Sequence, residues 1–157
     1  MNVVDSSAWL EYFADGPNAA TFARPIEAVA ELVVPTLSLY EVFKRVFVLR
    51  GERAALEAAA MMRQGMQANL TDSIALEAAR LSLEHRLPMA DSVILATARA
   101  HGATLWTQDA DFADIAGVRY VAKGTPRVNE PSTPPYAGRT APRPRTQSPK
   151  RTPRPRS

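Results

Sequence analysis

Four carboxylates, Asp5, Glu41, Asp91 and Asp109, stand at positions in the 157-residue chain from which the local pattern carries them toward one edge of a sheet. Gathered there, four negative charges repel one another, and some must stay protonated unless a cation neutralises them. The donor set is oxygen only, in a chain with no cysteine and with both of its histidines, His85 and His101, away from these positions. Such donors suit a hard divalent ion, Mg²⁺ or Mn²⁺, better than Zn²⁺. Each acid also has an ordinary explanation. Asp5 closes a strand-to-helix turn. Asp91 and Asp109 cap helices or sit in first turns, where the dipole favours them. Glu41, set among apolar residues at a helix start, pairs with Lys44 or Arg45. It is the four together that require a cation.

The elements that must position these acids follow from periodicity. Short β-branched runs predict strands at Asn2–Asp5, Leu32–Pro35, Ala68–Thr71, Thr104–Thr107 and Arg119–Val121. Helical patterns fall between them: Ser7–Ala14, Ala19–Glu31 with Pro25 bending or dividing it, Leu37–Arg50 stopped by Gly51, Glu52–Gln67, Ser73–Arg86 and Met89–His101, then a short turn over Ala110–Ile115. Strands alternating with helices make βαβ units, so the expected fold is α/β, a parallel sheet covered on both faces with right-handed crossovers. In such sheets sites form beyond the carboxyl ends of the strands. Asp5 follows the first strand directly, Asp109 comes two residues after Thr107, and Glu41 lies early in the helix after the second strand. Asp91 joins them if its helix starts at that edge.

Charge is divided unevenly. Residues 126–157 hold eight of the 19 Lys+Arg and one of the 16 Asp+Glu, leaving residues 1–125 at net −4 and the tail at +7. Nine of the 13 prolines also lie in the tail. The division expected is an α/β domain over 1–123 and a disordered, basic Pro/Arg-rich tail over 124–157, unable to bury enough surface to offset its ordering entropy. The tail's cations would either add nonspecific nucleic-acid affinity or serve as an inert extension. Met1-Asn2-Val3-Val4-Asp5 lacks the basic and apolar regions of a signal peptide, and no apolar run approaches the ~18 residues of a membrane span. With no cysteine, the composition fits a reducing cytoplasm.

Val3-Val4-Asp5-Ser6-Ser7-Ala8, the early Glu41, Ala90-Asp91-Ser92 with Ile94 and Ala96-Thr97-Ala98, and Leu105-Trp106-Thr107-Gln108-Asp109-Ala110-Asp111-Phe112 resemble, in order and spacing, the PIN domain over residues 1–122. The resemblance is strongest to its short members, the VapC-type toxins of toxin–antitoxin pairs. Trp106 is a departure from the pattern, and the tail has no counterpart in it. The resemblance implies a three-layer αβα sandwich with a five-stranded parallel sheet. It implies an endoribonuclease dependent on Mg²⁺ or Mn²⁺ that leaves a 5′-phosphate and a 3′-hydroxyl, a homodimer, and inhibition by a cognate VapB-type antitoxin. It assigns Asp5, Glu41, Asp91 and Asp109 as metal ligands and catalytic acids, with Asp111, Thr107 and Ser6 supporting them.

Arg24, Lys44, Arg45, Arg50 and Arg99 are candidates for binding RNA phosphates, each with the alternative of a solvated helix face. His85 and His101 read as helix C-terminal cations. Met61, Met62 and Met66 read as packing residues of an alanine-rich helix which, with Ala19–Glu31, would offer a groove to an antitoxin helix. Two other functions compete. A receiver-like signalling module would use Asp72 as phospho-acceptor and Lys123 as its lysine, but leaves Glu41 and Asp91 without a role. A catalytically inactive PIN-like module would bind RNA or a partner, yet the chain keeps all four acids. A DNA-directed nuclease of the same chemistry remains open, because no residue here reads a 2′-hydroxyl.

Overall fold

A computed structural model describes residues 1–124; the tail expected over 124–157 lies, beyond Gly124, outside the described residues. The chain runs β1 (Asn2–Val4), α1 (Ser6–Phe13), α2 (Ala19–Glu27), a 3₁₀ turn (Val29–Glu31), β2 (Leu32–Pro35), α3 (Thr36–Arg50), α4 (Glu52–Met62), β3 (Met66–Ala68), α5 (Asp72–His85), α6 (Met89–Ala100), β4 (Thr104–Thr107), a second 3₁₀ turn (Ala110–Phe112) and β5 (Val118–Tyr120). The five strands form one sheet in the order β3-β2-β1-β4-β5, and every pairing is parallel. This is the expected α/β architecture, a parallel sheet flanked by helices.

Alternation along the strands divides the core. Val3 and Val33 point into one apolar cluster with Ile74, Leu81, Ile94 and Leu105, and so pack against α5 and α6. Val4 and Val34, one residue on, point the other way into a cluster with Trp9, Phe22, Val42 and Met62 from α1 to α4. A period of two thus buries both faces of the sheet and produces the three αβα layers. The sheet is reached on both sides from β1, which pairs with β2 and β4. The order of strands therefore switches between β1 and β4, and the cleft expected at such a switch lies where those two strands end.

Three of the larger boundary differences from expectation have local causes. Strand β3 comes two residues earlier than Ala68–Thr71, because Thr71 is engaged elsewhere, its Oγ1 accepting the Ile74 amide and capping α5. Helix α4 accordingly stops at Met62, and Met66 belongs to β3 and not to a helical stripe. The Ala19–Glu31 pattern is divided, with α2 ending at Glu27, two residues past Pro25, which has no amide to continue the ladder.

Gly65 makes the early β3 possible. A Cβ there would lie 2.9 Å from both Leu32 Cγ and the Leu32 carbonyl oxygen, so the chain passes β2 at a distance only glycine permits. Gly65→Ala is expected to destabilise the fold by about 1–3 kcal/mol through this clash. Urea unfolding of the variant beside wild type measures it, and an unchanged midpoint would show that the contact relaxes freely.

Candidate metal and acid centre

The site is built first by the β1–β4 pair. Val4 lies beside Trp106 in the parallel register, and the Asp5 amide donates to the Trp106 carbonyl at 2.9 Å, extending the ladder one step past the strand. Asp5 is thereby set beside Thr107, at the carboxyl edge of both strands. Thr107 is fully buried and works in both directions. Its Oγ1 donates to Asp5 Oδ2 at 3.0 Å and accepts the Asp109 amide at 2.9 Å. One hydroxyl therefore fixes the acid after β1 and the loop that carries the acid after β4.

Asp5 is 4% exposed and N-caps α1. Its Oδ2 accepts from the Ser7 amide at 3.2 Å, the Ser7 hydroxyl at 2.6 Å and Thr107. Asp109 plays a similar local part, its Oδ1 accepting the Asp111 amide at 3.0 Å to cap the second 3₁₀ turn. The turn-closing explanations for Asp5 and Asp109 are thus correct locally, yet each uses only one carboxylate oxygen. Glu41 lies in the second turn of α3, where Ser6 Oγ donates to its Oε2 at 2.5 Å. Among the described residues it makes no ion pair with Lys44 or Arg45, so the salt-bridge alternative does not hold.

Asp91 sits in the first turn of α6, three residues after Pro88. A helix N-terminus favours a carboxylate, but its surroundings reverse that preference. Burial and the charges of Asp5, Asp109, Glu41 and Asp111, in that order, push the Asp91 carboxyl up from 3.8 to about 7. The four sequence-predicted acids therefore meet in one electrostatic neighbourhood, with Asp111 as a fifth. The tightest group is Asp91, Asp109 and Asp111, which offer one oxygen each within 4.8 Å of one another. Sequence reasoning gave Asp111 only a supporting place; the signal for more was its spacing, two residues after Asp109 across a tight turn.

The donor set fits a hard divalent ion. All donors are carboxylate oxygens, and a 4.8 Å span is close to the roughly 4 Å between opposite ligands of Mg²⁺ or Mn²⁺. The raised Asp91 marks the charge excess that such an ion would relieve.

The candidate cations divide by location. Arg45 and Arg50 line a cavity beside Ser7 and Gln108, and Lys44 lines a smaller one with Glu41. Arg99 borders a cavity between α5 and α6, away from the acids. Arg24 is exposed on α2.

Residues 3–118 match the family model of the PIN domain. The fold is similar to that of a toxin–antitoxin complex from Klebsiella pneumoniae, at 23% identity and a TM-score of 0.65 over 76% of this chain and 96% of that one. It is similar also to VapC20 of Mycobacterium tuberculosis, a toxin that cleaves the sarcin–ricin loop, at 21% identity and a TM-score of 0.61 over 72% and 93%. A third likeness is to VapBC2 from Rickettsia felis bound to a promoter DNA fragment, at 13% identity and a TM-score of 0.62 over 77% and 97%. A comparison with curated protein sequences gives no match.

The Asp91 shift has a measurable consequence without added metal. Between pH 3.8 and about 7 the folded chain holds a proton that the unfolded chain has lost. This contribution to stability is therefore complete at low pH and disappears as pH rises through 7. Asp91→Asn keeps the neutral state at every pH. In urea titrations with EDTA the variant should gain on wild type by on the order of 1–2 kcal/mol between pH 5 and pH 8, after allowance for solvent screening of a half-buried group. A constant difference across that range would contradict the shift.

Proposed function

The chain belongs to the PIN domain family, and on that premise we propose that it is a metal-dependent endoribonuclease, the toxin of a toxin–antitoxin pair. The observation that supports the reading is the clustering of Asp91, Asp109 and Asp111 within 4.8 Å of one another, with Asp91 raised to about 7 by burial and by the charges of Asp5, Asp109, Glu41 and Asp111. A fold that only needed these acids for caps and turns would not stack their charges.

In this reading Asp5, Asp91, Asp109 and Asp111 hold Mg²⁺ or Mn²⁺, which when bound acidifies water and neutralises charge building on the phosphoryl oxygens. Thr107 fixes the spacing of Asp5 and Asp109 through its shared hydroxyl. Ser6 holds one oxygen of Glu41, leaving the other to accept a proton from the attacking water. In-line attack then leaves a 5′-phosphate and a 3′-hydroxyl.

RNA as substrate is supported by the family and by the likeness to a toxin that cleaves the sarcin–ricin loop. A VapB-type antitoxin is the proposed partner, on the likeness to toxin–antitoxin complexes. A homodimer is proposed too, with the exposed Leu76 and Leu83 of α5 available for an interface. No helix among the described residues is long and apolar enough to cross a membrane, and the proposed site of action is the cytoplasm, where RNA is found. The receiver-like alternative loses support. Receiver sheets run 2-1-3-4-5, this one runs 3-2-1-4-5, and Asp72 lies in the first turn of α5 and not at the end of β3.

The test is cleavage of total RNA by purified protein in Mg²⁺ or Mn²⁺. Chelation with EDTA should abolish it, and Asp91→Asn should lower the rate by at least about a hundredfold while leaving the circular dichroism spectrum unchanged. Full activity in the variant, with contaminating nuclease excluded, would refute the assignment. RNA binding without cleavage in wild type would leave an inactive PIN-like module.

A further inference from the structure

A cavity of about 340 Å³ opens between α1 and α3. That volume is near the lower end of the roughly 300–1,000 Å³ of small-ligand pockets. Its inner wall is Ser7 and Gln108. Ser7 holds Asp5, and Gln108 directly precedes Asp109 and is itself 8% exposed. The Gln108 amide donates to the Ser7 carbonyl at 3.3 Å and to Glu11 at 3.4 Å, and its oxygen accepts from Asn18 at 3.2 Å. One wall of the cavity is therefore bonded to Asp5 and adjoins Asp109 along the chain.

The side walls are apolar, formed by Leu10 and Phe13 of α1 and Leu49 of α3. The rim carries Arg45, Arg50 and Lys123 against a single acid, Glu11. Glu11 is occupied within the protein, accepting the Asn18 amide at 2.9 Å as well as Gln108. Arg50 is anchored by its bond to the Phe13 carbonyl at 3.1 Å. Arg45 and Lys123 take no ion pair among the described residues. Arg45 also lines the second cavity, about 290 Å³, whose wall includes Glu41. It thus stands between two cavities, one bordered by Glu41 and the other by the neighbours of Asp5 and Asp109.

We infer that the α1–α3 cavity is a nucleotide subsite that takes one unstacked base of single-stranded RNA, with Arg45 and Lys123 on the adjoining phosphates. Apolar and aromatic walls for a base face and cations at the rim for the backbone are what single-strand binding uses. The rim charge opposes the body's net acidity at the place where a polyanion must approach the acids. The cavity's volume suits a single ring system. The inference rests on the ribonuclease reading for its substrate, and a subsite of this kind would make cleavage selective for the base beside the scissile bond.

The test uses the full chain in EDTA, where cleavage cannot occur. A single-stranded RNA decamer of random sequence containing 4-thiouridine is cross-linked by ultraviolet light, and the modified peptides are located by mass spectrometry. Cross-links are expected in residues 7–14 or 45–50. Arg45 and Leu49 are both exposed, Leu49 at 62%, so Arg45→Ala and Leu49→Glu should fold normally. Each should lower that cross-link yield by roughly fivefold, and Arg45→Ala should also reduce the slope of log affinity against log salt by about 0.7. Cross-links that avoid both segments, or yields in both variants unchanged from wild type, would overturn the subsite; a surface serving only an acidic peptide would give that result. Cross-linking here without any cleavage in Mg²⁺ or Mn²⁺ would keep the subsite and remove the nuclease reading. Asp91-dependent cleavage with unaltered cross-linking in both variants would do the reverse.

Discussion

Like charges held close together are the constraint around which this molecule is organised. Asp91, Asp109 and Asp111 offer oxygens within 4.8 Å of one another, and burial together with the charges of Asp5, Asp109, Glu41 and Asp111 pushes the Asp91 carboxyl up to about 7. A protein selected only for stability would disperse such groups or pair them with its arginines. Here the neighbouring arginines stay off the acids. Glu41 takes a serine hydroxyl and makes no ion pair with Lys44 or Arg45 one turn further along α3, although all three line one small cavity. The charge excess is therefore maintained by the fold, and its natural counterpart is a small divalent cation.

The arrangement that sustains this repulsion is economical in residues. Thr107 joins Asp5 to the Asp109 loop through one hydroxyl, Ser7 and Ser6 hold the acids after β1 and in α3, and Gln108 ties the loop to α1 and to Asn18. Hydroxyls and amides orient carboxylates without neutralising them, which lysines or arginines in the same places would do. Most of these groups are buried, so their geometry is set by the core beneath them. Val3 and Val4 send alternate side chains into the two apolar layers, and the strand they anchor delivers Asp5 to the edge.

The same edge separates two kinds of surface. The acids are held by hydroxyls and amides, and the α1–α3 cavity, whose wall includes Ser7 and Gln108, presents apolar walls with a cationic rim. α1 and α3 lie on one face of the sheet, while α6 brings Asp91 from the other.

Much of this was legible from the amino-acid order. Alternating β-branched and helical segments determine a covered parallel sheet, and Asp5, Glu41 and Asp109 each stand in a local pattern that points to a strand's carboxyl end, whereas Asp91 joins them only through where α6 starts. Such signals are short range, and periods of two and 3.6 residues express them directly. What the sequence left open depended on contacts between distant segments. The early start of β3 is decided by Gly65 passing Leu32, and the end of α4 follows from it. Asp111 reaches Asp91 only because a 3₁₀ turn folds it back beside Asp109. Glu41 is released from its adjacent lysine and arginine by Ser6, 35 residues away. The raised Asp91 carboxyl and the cavity behind Gln108 exist only once α1, α3, α6 and β4 are packed together, because burial and Coulomb repulsion depend on distances through space and not on separation along the chain.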